Sequence, residues 1–405
     1  VKALLVGSGG REHALAWKLA QSPGLSELHA APGNPGIAAL GHCHPVRAED
    51  GEGLLALARE LQAGLVVIGP EAPLVAGVAD ELRHAGFVVF GPGAEAARIE
   101  GSKLFAKEVM RSAGVSTAAV LEEPRAPCVI KADGLTAGKG VFICRTGDEL
   151  AVGLRAAAAH GADVVAEELL EGREASVFAL ASGTDVLPLP AARDYSRVGD
   201  GDTGPNTGGM GCFSPIPELD DAETAELVDS IHRPVLEELS RRGSPFVGVL
   251  YAGLMLTDDG PRVLEFNARF GDPEAQVILP RLDGDLLPAL AAAGSGELAG
   301  VELDAREDAA VTIALAAPEY PARGDSGSPI EGIEAAEATG ALVFHAGTAL
   351  RDGRVVTNGG RILNVTGVGD DLAEARARAY AAVEKVSFPG MRYRTDIAAL
   401  AAVDG

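Results

Sequence analysis

The sequence predicts a multidomain chain of α/β and α+β character. Three observations carry that expectation. Strand and helix patterns alternate through residues 1–100, as in a parallel sheet covered by helices. Residues 101–305 read as hairpins and helices around a glycine-rich loop. Residues 306–405 read as short strands with one helix, a small α+β domain. A chain of 405 residues also exceeds one ordinary core.

The elements follow in order. Lys2–Val6 is an apolar run ending in glycines, a buried strand too short for a signal-peptide core. Arg11–Gln21 carries Ala14, Leu15, Lys18 and Leu19 at helical spacing and stops at Ser22-Pro23-Gly24. Leu25–Ala31 reads as a strand, Leu54–Leu61 as a helix, Leu65–Ile68 as a strand, Leu74–His84 as a helix and Phe87–Phe90 as a strand. Ligands of such sheets sit beyond the carboxyl ends of the strands. The exits read Gly7–Gly10, Pro32–Gly36, Gly69–Glu71 and Gly91–Gly93. Glycine at each exit lets backbone approach a ligand, although ordinary turns use the same residues.

Ser102–Ser112 reads as a helix ending at Gly114. Strands Cys128–Ala132 and Val141–Cys144 flank the loop Asp133–Gly140, and a helix near Asp148–His160 leads to a strand at Asp163–Glu167. Ala175–Ala181 and Val186–Leu189 form a hairpin at Gly183. Arg193–Gly211 is a long, polar, glycine-rich loop, a type that is functional or disordered. Leu219–Arg242 is helical, and Phe246–Thr257 and Arg262–Asn267 pair around Asp258-Asp259-Gly260. Strands at Ala310–Ala316, Ala341–His345, Val355–Val356 and Arg361–Thr366 precede a helix at Leu372–Lys385.

Hydrophobic content of 47% with 23% charged residues is that of a globular domain. No run approaches the ~18 apolar residues of a membrane span, so no membrane partner is expected. The net charge of −24 excludes a non-specific nucleic-acid binder, which needs a basic surface. It permits anionic small ligands in a locally positive pocket. Four cysteines without Cys-x-x-Cys spacing fit reduced thiols in a cytoplasmic protein.

Chemistry concentrates in two segments. In an extended Val263–Asn267, alternate side chains share a face, so Val263, Glu265 and Asn267 should project together, with Arg269 following. A carboxylate and an amide oxygen so spaced suit a hard cation such as Mg²⁺, and the guanidinium suits a phosphate or carboxylate. A solvated polar edge is the alternative, and this segment alone leaves both open. The loop Gly134–Gly140 lacks Walker A spacing and joins two strands. Such a loop can fold over phosphates as a lid, with Lys139 adding charge. Lys131, in an apolar strand, needs an anionic partner such as a phosphate unless it snorkels at the strand edge. Gly7–Glu12 follows a strand and opens a helix, as a dinucleotide fingerprint would. Glu12 stands where that fingerprint needs a small residue, and Ala31 where it needs an acid. A nicotinamide oxidoreductase is disfavoured.

These pieces, in this order, resemble the ATP-grasp superfamily and, within it, the glycinamide ribonucleotide synthetase family. The matching runs include Gly7–Ala16, Ala31–Gly36, Gly69–Leu74, Glu100–Lys103, Ile130–Val141, Arg197–Gly211, Leu250–Met255, Glu265–Glu274, Phe344–Thr348 and Val356–Arg361. The Asp200–Gly211 and Glu265–Glu274 runs are the most specific, and the former disfavours another ATP-grasp ligase or a biotin-dependent carboxylase; a non-enzymatic nucleotide sensor is the remaining alternative, which ADP release dependent on both substrates would separate. The resemblance implies a Rossmann-like pre-ATP-grasp domain over 1–100 and an ATP-grasp domain with a mobile lid over 101–305. It places the lid at about 116–173 and a C-terminal α+β domain at 306–405.

It further implies ligation of glycine to 5-phosphoribosylamine with ATP through glycyl phosphate, by a cytoplasmic monomer using Mg²⁺ or Mn²⁺. Lys103, Lys131, Gly138, Lys139 and Gly140 would meet ATP phosphates. Glu167, Glu168 and Leu170 would border the adenine, and Glu174 the ribose. Glu265 and Asn267 would hold the metal. Arg269 and Lys131 would be catalytic, with Arg269, Thr207, Gly208 and Gly209 on the glycine or acyl phosphate side and Asp194 also binding substrate. Gly9, Gly10, Arg11, Glu12 and Glu71 would receive phosphoribosylamine. His13 and His345 lie in matching runs and read as structural hydrogen-bonding residues. The chain departs from the family pattern in shorter segments at Leu121–Pro127 and before Asp163. It has no metal-binding carboxylate on Val247–Leu256, a feature this family shares.

Overall fold

The computed structural model describes residues 1–136, 139–160 and 163–401. Strands β1 (Lys2–Gly7), β2 (Glu27–Pro32), β3 (His42–Cys43), β4 (Leu65–Ile68) and β5 (Val89–Phe90) form a parallel sheet in the order β3-β2-β1-β4-β5. Leu4, Leu5, Leu65 and Val66 are fully buried, as continuous apolar runs in a covered parallel sheet require. Strand order reverses beside β1, so a crevice opens where the β1 and β4 exits meet. The helix expected over Leu74–His84 is two, Glu71–Val75 and Val78–His84, because Gly77 takes a left-handed φ of 87°.

Helix α1 (Gly10–Leu19) is buried along nearly its whole length. It packs on the helix Ala275–Arg281 and the strand Leu342–His345. The backbone N–H of His345 donates to His13 Nδ1 at 2.8 Å, and the two imidazoles lie 5.5 Å apart, edge on. His345 Nδ1 lies 3.0 Å from Thr348 Oγ1. Both histidines are therefore pins between the N-terminal sheet and the C-terminal region.

Strands β6 (Cys128–Ala132), β7 (Val141–Cys144) and β8 (Val164–Glu168) form a separate antiparallel sheet, ordered β7-β6-β8. With the helix Gly147–Ala158 they enclose a small core of Cys128, Ile130, Cys144, Ala157 and Ala166. The main body is an eight-stranded antiparallel sheet. Its order is Gly260–Asn267, Val247–Thr257, β9 (Arg173–Ser182), β10 (Asp185–Asp194), Gly211–Ser214, Ala309–Ala316, Arg361–Gly369 and Leu342–His345. The last three strands, from the C-terminal part of the chain, thus extend the sheet that bears the Glu265 strand.

Two elements differ from expectation. The polar stretch Arg193–Gly211 contains a short hairpin, Arg197–Gly199 with Thr203–Asn206. The buried Arg394 holds it, donating to the Arg197 carbonyl at 3.1 Å and to Asp202 at 2.8 Å. The helix over Leu219–Arg242 is interrupted by a π segment, Val228–His232, just before Pro234. Proline lacks the N–H that would continue the regular ladder. Among the described residues no helix is long and apolar enough to cross a membrane.

Buried histidines make stability depend on pH. Burial, aided by the charge of His345, lowers His13 to about 3, and burial lowers His345 and His232 to about 4. Unfolded imidazoles take protons below about pH 6.5. Between that value and about pH 4 the unfolded chain binds more protons, so stability must fall as pH falls. Each histidine should cost about 1.4 kcal/mol per pH unit within that window. Urea midpoints at about pH 7 and about pH 5 check this, and His13→Gln should flatten the slope.

Candidate active site

The strand Gly260–Asn267 does not alternate as simple extended geometry predicts. Glu265 pairs with Gly253 and Val263 with Leu254, leaving Leu264 as an extra residue in a β-bulge. Val263 therefore turns into the core with Phe266 and Ala268, while Glu265 is exposed. The expected common face of Val263 and Glu265 is corrected by this one-residue slip. The bulge also frees the Leu264 carbonyl, which accepts a hydrogen bond from Lys131 Nζ at 2.8 Å. Glu265 has glycine as its cross-strand neighbour, so the adjacent strand offers no second carboxylate there.

Lys131 is buried and ion-paired to Glu167 at 2.8 Å. Glu167 also receives Lys107 at 2.9 Å. The anionic partner that Lys131 requires is thus a protein carboxylate, and among the described residues one of its three donors has no protein partner. Lys103 begins the helix Lys103–Ala113 capped by Ser102, and its Nζ reaches the Gly134 carbonyl at 3.0 Å. Burial lowers its pKa, and the carboxylate of Glu265 is the largest opposing influence. Lys139 is exposed and Gly140 buried at the mouth of β7, while Gly138 lies outside the described residues. Glu168 bonds Arg262 at 2.7 Å and the Ala119 N–H at 2.8 Å. Leu170 is half-buried just past the end of β8, and among the described residues no ladder partner takes its backbone groups.

Carboxylates crowd the other wall. Burial raises the pKa values of Glu174, Asp194 and Glu274. Glu265 adds repulsion at Glu174, and Glu274 and Glu174 add it at Asp194. Glu274 accepts from Tyr251 at 2.8 Å, and Tyr251 lies 3.0 Å from Ser176 Oγ. Among the described residues Glu265 and Asn267 make no side-chain hydrogen bond or ion pair to protein. Two free oxygen donors in a carboxylate-rich cleft fit a hard cation. No three histidine, cysteine or acidic side chains among the described residues converge on such an ion. Its remaining oxygens would come from phosphate and water, as Mg²⁺ accepts.

The strand exits form a third wall. Glu12 is buried, accepts from the Gly9 N–H at 2.7 Å and pairs with Arg11 at 2.6 Å. Glycine makes room for it: a Cβ on Gly69 would stand 2.1 Å from Glu12 Oε1. Gly10 faces Gln276 and Asn364, whose Oε1 and Nδ2 are buried without partners. Arg11 also donates to the Phe270 carbonyl at 3.2 Å. Arg269 is held by Glu100 at 2.8 Å and Glu71 at 3.3 Å. Burial raises Glu71, but Arg269 and Arg11 outweigh it and bring it to about 2. At Glu100 burial prevails over the attraction of Arg269 and the pKa rises.

Gly208 and Gly209 sit on Arg361, which donates to their carbonyls at 2.6 and 3.2 Å and pairs with Asp272 at 3.0 Å, while Thr207 Oγ1 donates to the Ser196 carbonyl and accepts from the Gly209 N–H. Arg361 lines a cavity of about 590 Å³ between the exits Ser8–Gly9 and Pro32–Pro35 and the segments Ala346–Ala349 and Asn358–Arg361. The residue-level sequence reading gave Arg361, Asp272, Tyr251 and Glu274 no role. Their signal was membership of matching runs, above all Glu265–Glu274 and Val356–Arg361.

Models of the phosphoribosylglycinamide synthetase N domain, ATP-grasp (A) domain and C domain match residues 1–100, 101–275 and 310–400. The chain is 51% identical over 421 residues to a phosphoribosylamine–glycine ligase of Streptomyces coelicolor, covering 99% of this chain and 100% of the relative. It is 47% identical over 414 residues to that of Mesorhizobium japonicum, covering 98% and 97%. The crystal structure of a Thermotoga maritima phosphoribosylamine–glycine ligase matches with a TM-score of 0.85 and 36% identity, covering 98% of this chain and all of that one. A biotin carboxylase domain from Hydrogenobacter thermophilus shares the fold, with a TM-score of 0.72 at 18% identity over 97% of this chain and 91% of that one. By its three matched domains and near full-length relatives, the chain belongs to the phosphoribosylglycinamide synthetase family of ATP-grasp ligases.

Proposed function

We propose that the chain joins glycine to 5-phosphoribosylamine, consuming ATP and giving glycinamide ribonucleotide, ADP and phosphate through glycyl phosphate, a step of de novo purine synthesis. The observation that carries the site assignment is the bond from Lys131 Nζ to the Leu264 carbonyl. It brings the lid cation beside Glu265, the unpaired carboxylate, so ammonium and oxygen donors meet where a phosphoryl group would transfer.

A carboxylate is a poor electrophile, and phosphorylation gives it a leaving group. The protein's part is positioning and charge stabilisation. Lys131 and Lys103 face the ATP phosphates, with Lys139, Gly138 and Gly140 closing over them. The half-exposed backbone at Leu170 borders the adenine beside Glu167 and Glu168, and Glu174 takes the ribose. A divalent cation, Mg²⁺ or Mn²⁺, held by Glu265 and Asn267, would screen the phosphate charge when bound. Arg269, with Thr207, Gly208, Gly209 and Asp194, serves glycine and its acyl phosphate. Glu71 and Glu100 fix the orientation of that guanidinium. Gly9, Gly10, Arg11, Glu12 and Glu71 build the phosphoribosylamine side, Glu12 by holding Arg11 and the Gly9 amide in place. The cavity between the strand exits and Arg361 supports that placement.

We keep domain limits of 1–100, 101–305 and 306–405, with a lid over about 116–173. The separate small core under β6–β8 supports the lid. Closing it would keep water from the acyl phosphate. A cytoplasmic monomer completes the reading, and its four free cysteines suit a reducing compartment.

Glu265→Gln should lower kcat by about 100-fold or more at saturating Mg²⁺ while leaving the unfolding midpoint nearly unchanged. Near-normal turnover would remove the metal assignment. Arg269→Lys should raise the KM for glycine well beyond that for ATP, because the planar fork is lost. With glycine labelled by ¹⁸O in its carboxylate, label should pass into inorganic phosphate, and ADP release should need both glycine and phosphoribosylamine. Unlabelled phosphate would sink the glycyl phosphate route.

A further inference from the structure

The two segments proposed to serve glycine are fastened together by one C-terminal side chain. Arg361 Nη1 donates to the Gly208 carbonyl at 2.6 Å, the Gly209 carbonyl at 3.2 Å and the Asp272 carbonyl at 2.7 Å. Its Nη2 pairs with the Asp272 carboxylate at 3.0 Å. Asp272 follows closely on Arg269 in the chain, so the guanidinium grips both the Thr207–Gly209 loop and the segment that carries Arg269. Gly208 and Asp272 belong to the matched ATP-grasp domain, and Arg361 to the matched C domain.

This grip sets the shape of the loop. A trans peptide turns each N–H away from the carbonyl that precedes it. With the Gly208 carbonyl drawn to Arg361, the Gly209 N–H turns to Thr207 Oγ1 at 3.0 Å. With the Gly209 carbonyl drawn the same way, the Met210 N–H turns to the Tyr195 carbonyl at 2.7 Å. Gly209 bends the chain between them at a φ of 111°, which favours glycine, and a Cβ there would stand 2.4 Å from Pro273 Cδ. Tyr320, also from the C domain, accepts from the Gly208 N–H at 3.0 Å.

The guanidinium is itself held. Asp272 Oδ1 accepts from Gln276 Nε2 at 2.7 Å, and the same nitrogen donates to Asn364 Oδ1 at 3.3 Å. Burial opposes charge on Asp272, but Arg361 and Arg11 outweigh it and hold the carboxyl below its usual range. Gln276 and Asn364 are fully buried, and a Cβ on Gly10 would stand 2.6 Å from Gln276 Nε2, so the amide is packed in place.

We propose that Arg361 is a positioning residue for glycine activation: it fixes the Gly208–Gly209 loop against the Arg269 segment, and the C domain thereby governs formation of the acyl phosphate. The proposal rests on the assignment of Arg269, Thr207, Gly208 and Gly209 to glycine. Arg361 also lines the cavity beside the strand exits, so a role toward phosphoribosylamine alone is the competing outcome. Both terminal nitrogens are engaged by protein oxygens, which favours positioning over direct contact with that substrate.

Hydroxylamine in place of phosphoribosylamine isolates the first half of the reaction. With ATP and glycine it should trap the acyl phosphate as glycine hydroxamate, its nitrogen displacing inorganic phosphate from the acyl carbon. Arg361→Lys keeps the charge and loses the fork. It should lower kcat/KM for glycine in hydroxamate formation by about 100-fold and leave the KM for ATP unchanged. Hydrogen exchange at Gly209 and Met210 should speed up in that variant, while exchange in the buried strand Ala309–Ala316 stays as it was. Tyr320→Phe should lower kcat/KM for glycine about 5-fold and serves if the arginine variant misfolds. Normal hydroxamate formation in the folded variants, with only the KM for phosphoribosylamine raised, would overturn the proposal. Unchanged exchange at Gly209 and Met210 would do the same. A wild-type chain that forms no hydroxamate would count against the glycyl phosphate reading alone, and the exchange comparison would then decide the positioning role.

Discussion

The buried carboxylate of Glu167, clasped between the ammonium groups of Lys107 and Lys131, is the joint on which the site depends. Lys107 belongs to the helix Lys103–Ala113, and Lys131 and Glu167 to the separate β7-β6-β8 sheet. Lys131 then reaches across to the Leu264 carbonyl. Removing one member of such a group leaves an uncompensated buried charge, which costs several kcal/mol. The arrangement therefore ties the β6–β8 sheet to the helix Lys103–Ala113 and to the strand Gly260–Asn267 through buried charge. Asp133 adds a second tie, accepting from the backbone N–H of Lys103 and from Ser102 Oγ.

A second constraint is space. Glu12 is a large acid at the start of α1, where helix and strand pack closely. It fits because Gly7 and Gly69 leave its carboxylate room, and it then holds Arg11 and the Gly9 amide. The Glu12 carboxylate thus takes the Gly9 N–H in the rim that would carry pyrophosphate in a dinucleotide enzyme. Asn34 ties that rim to the C-terminal region, donating to the Ser8 and His345 carbonyls at 2.9 Å each.

The continuous eight-stranded sheet explains how distant segments share one cleft. Gly260–Asn267 lies at one edge and the C-terminal strands at the other, with β9 and β10 between them. Glu174 and Asp194 lie on those middle strands, and Arg361 begins a C-terminal one. One continuous sheet therefore sets the spacing of Glu265, Glu174, Asp194 and Arg361.

Much of this was legible in the chain itself. Leu65–Ile68, Cys128–Ala132 and Val141–Cys144 coincide with their expected strands because short apolar runs between glycines and polar residues have few other ways to be buried. Lys131 stood out because an ammonium in an apolar strand demands a partner, Glu265 and Asn267 because two oxygen donors alternate along one strand, and Lys103 only through the family resemblance. Alternation could not reveal the bulge at Leu264, since an extra residue is decided by the partner strand. Nor could it pair Lys131 with Glu167, Arg269 with Glu71 and Glu100, or Arg361 with Gly208. Those contacts join residues far apart in sequence, and local periodicity carries no information about them. The sequence by itself determined the elements, the family and the chemical types at the site. The tertiary structure alone decided which charge meets which, because that follows from the packing of separate elements against one another.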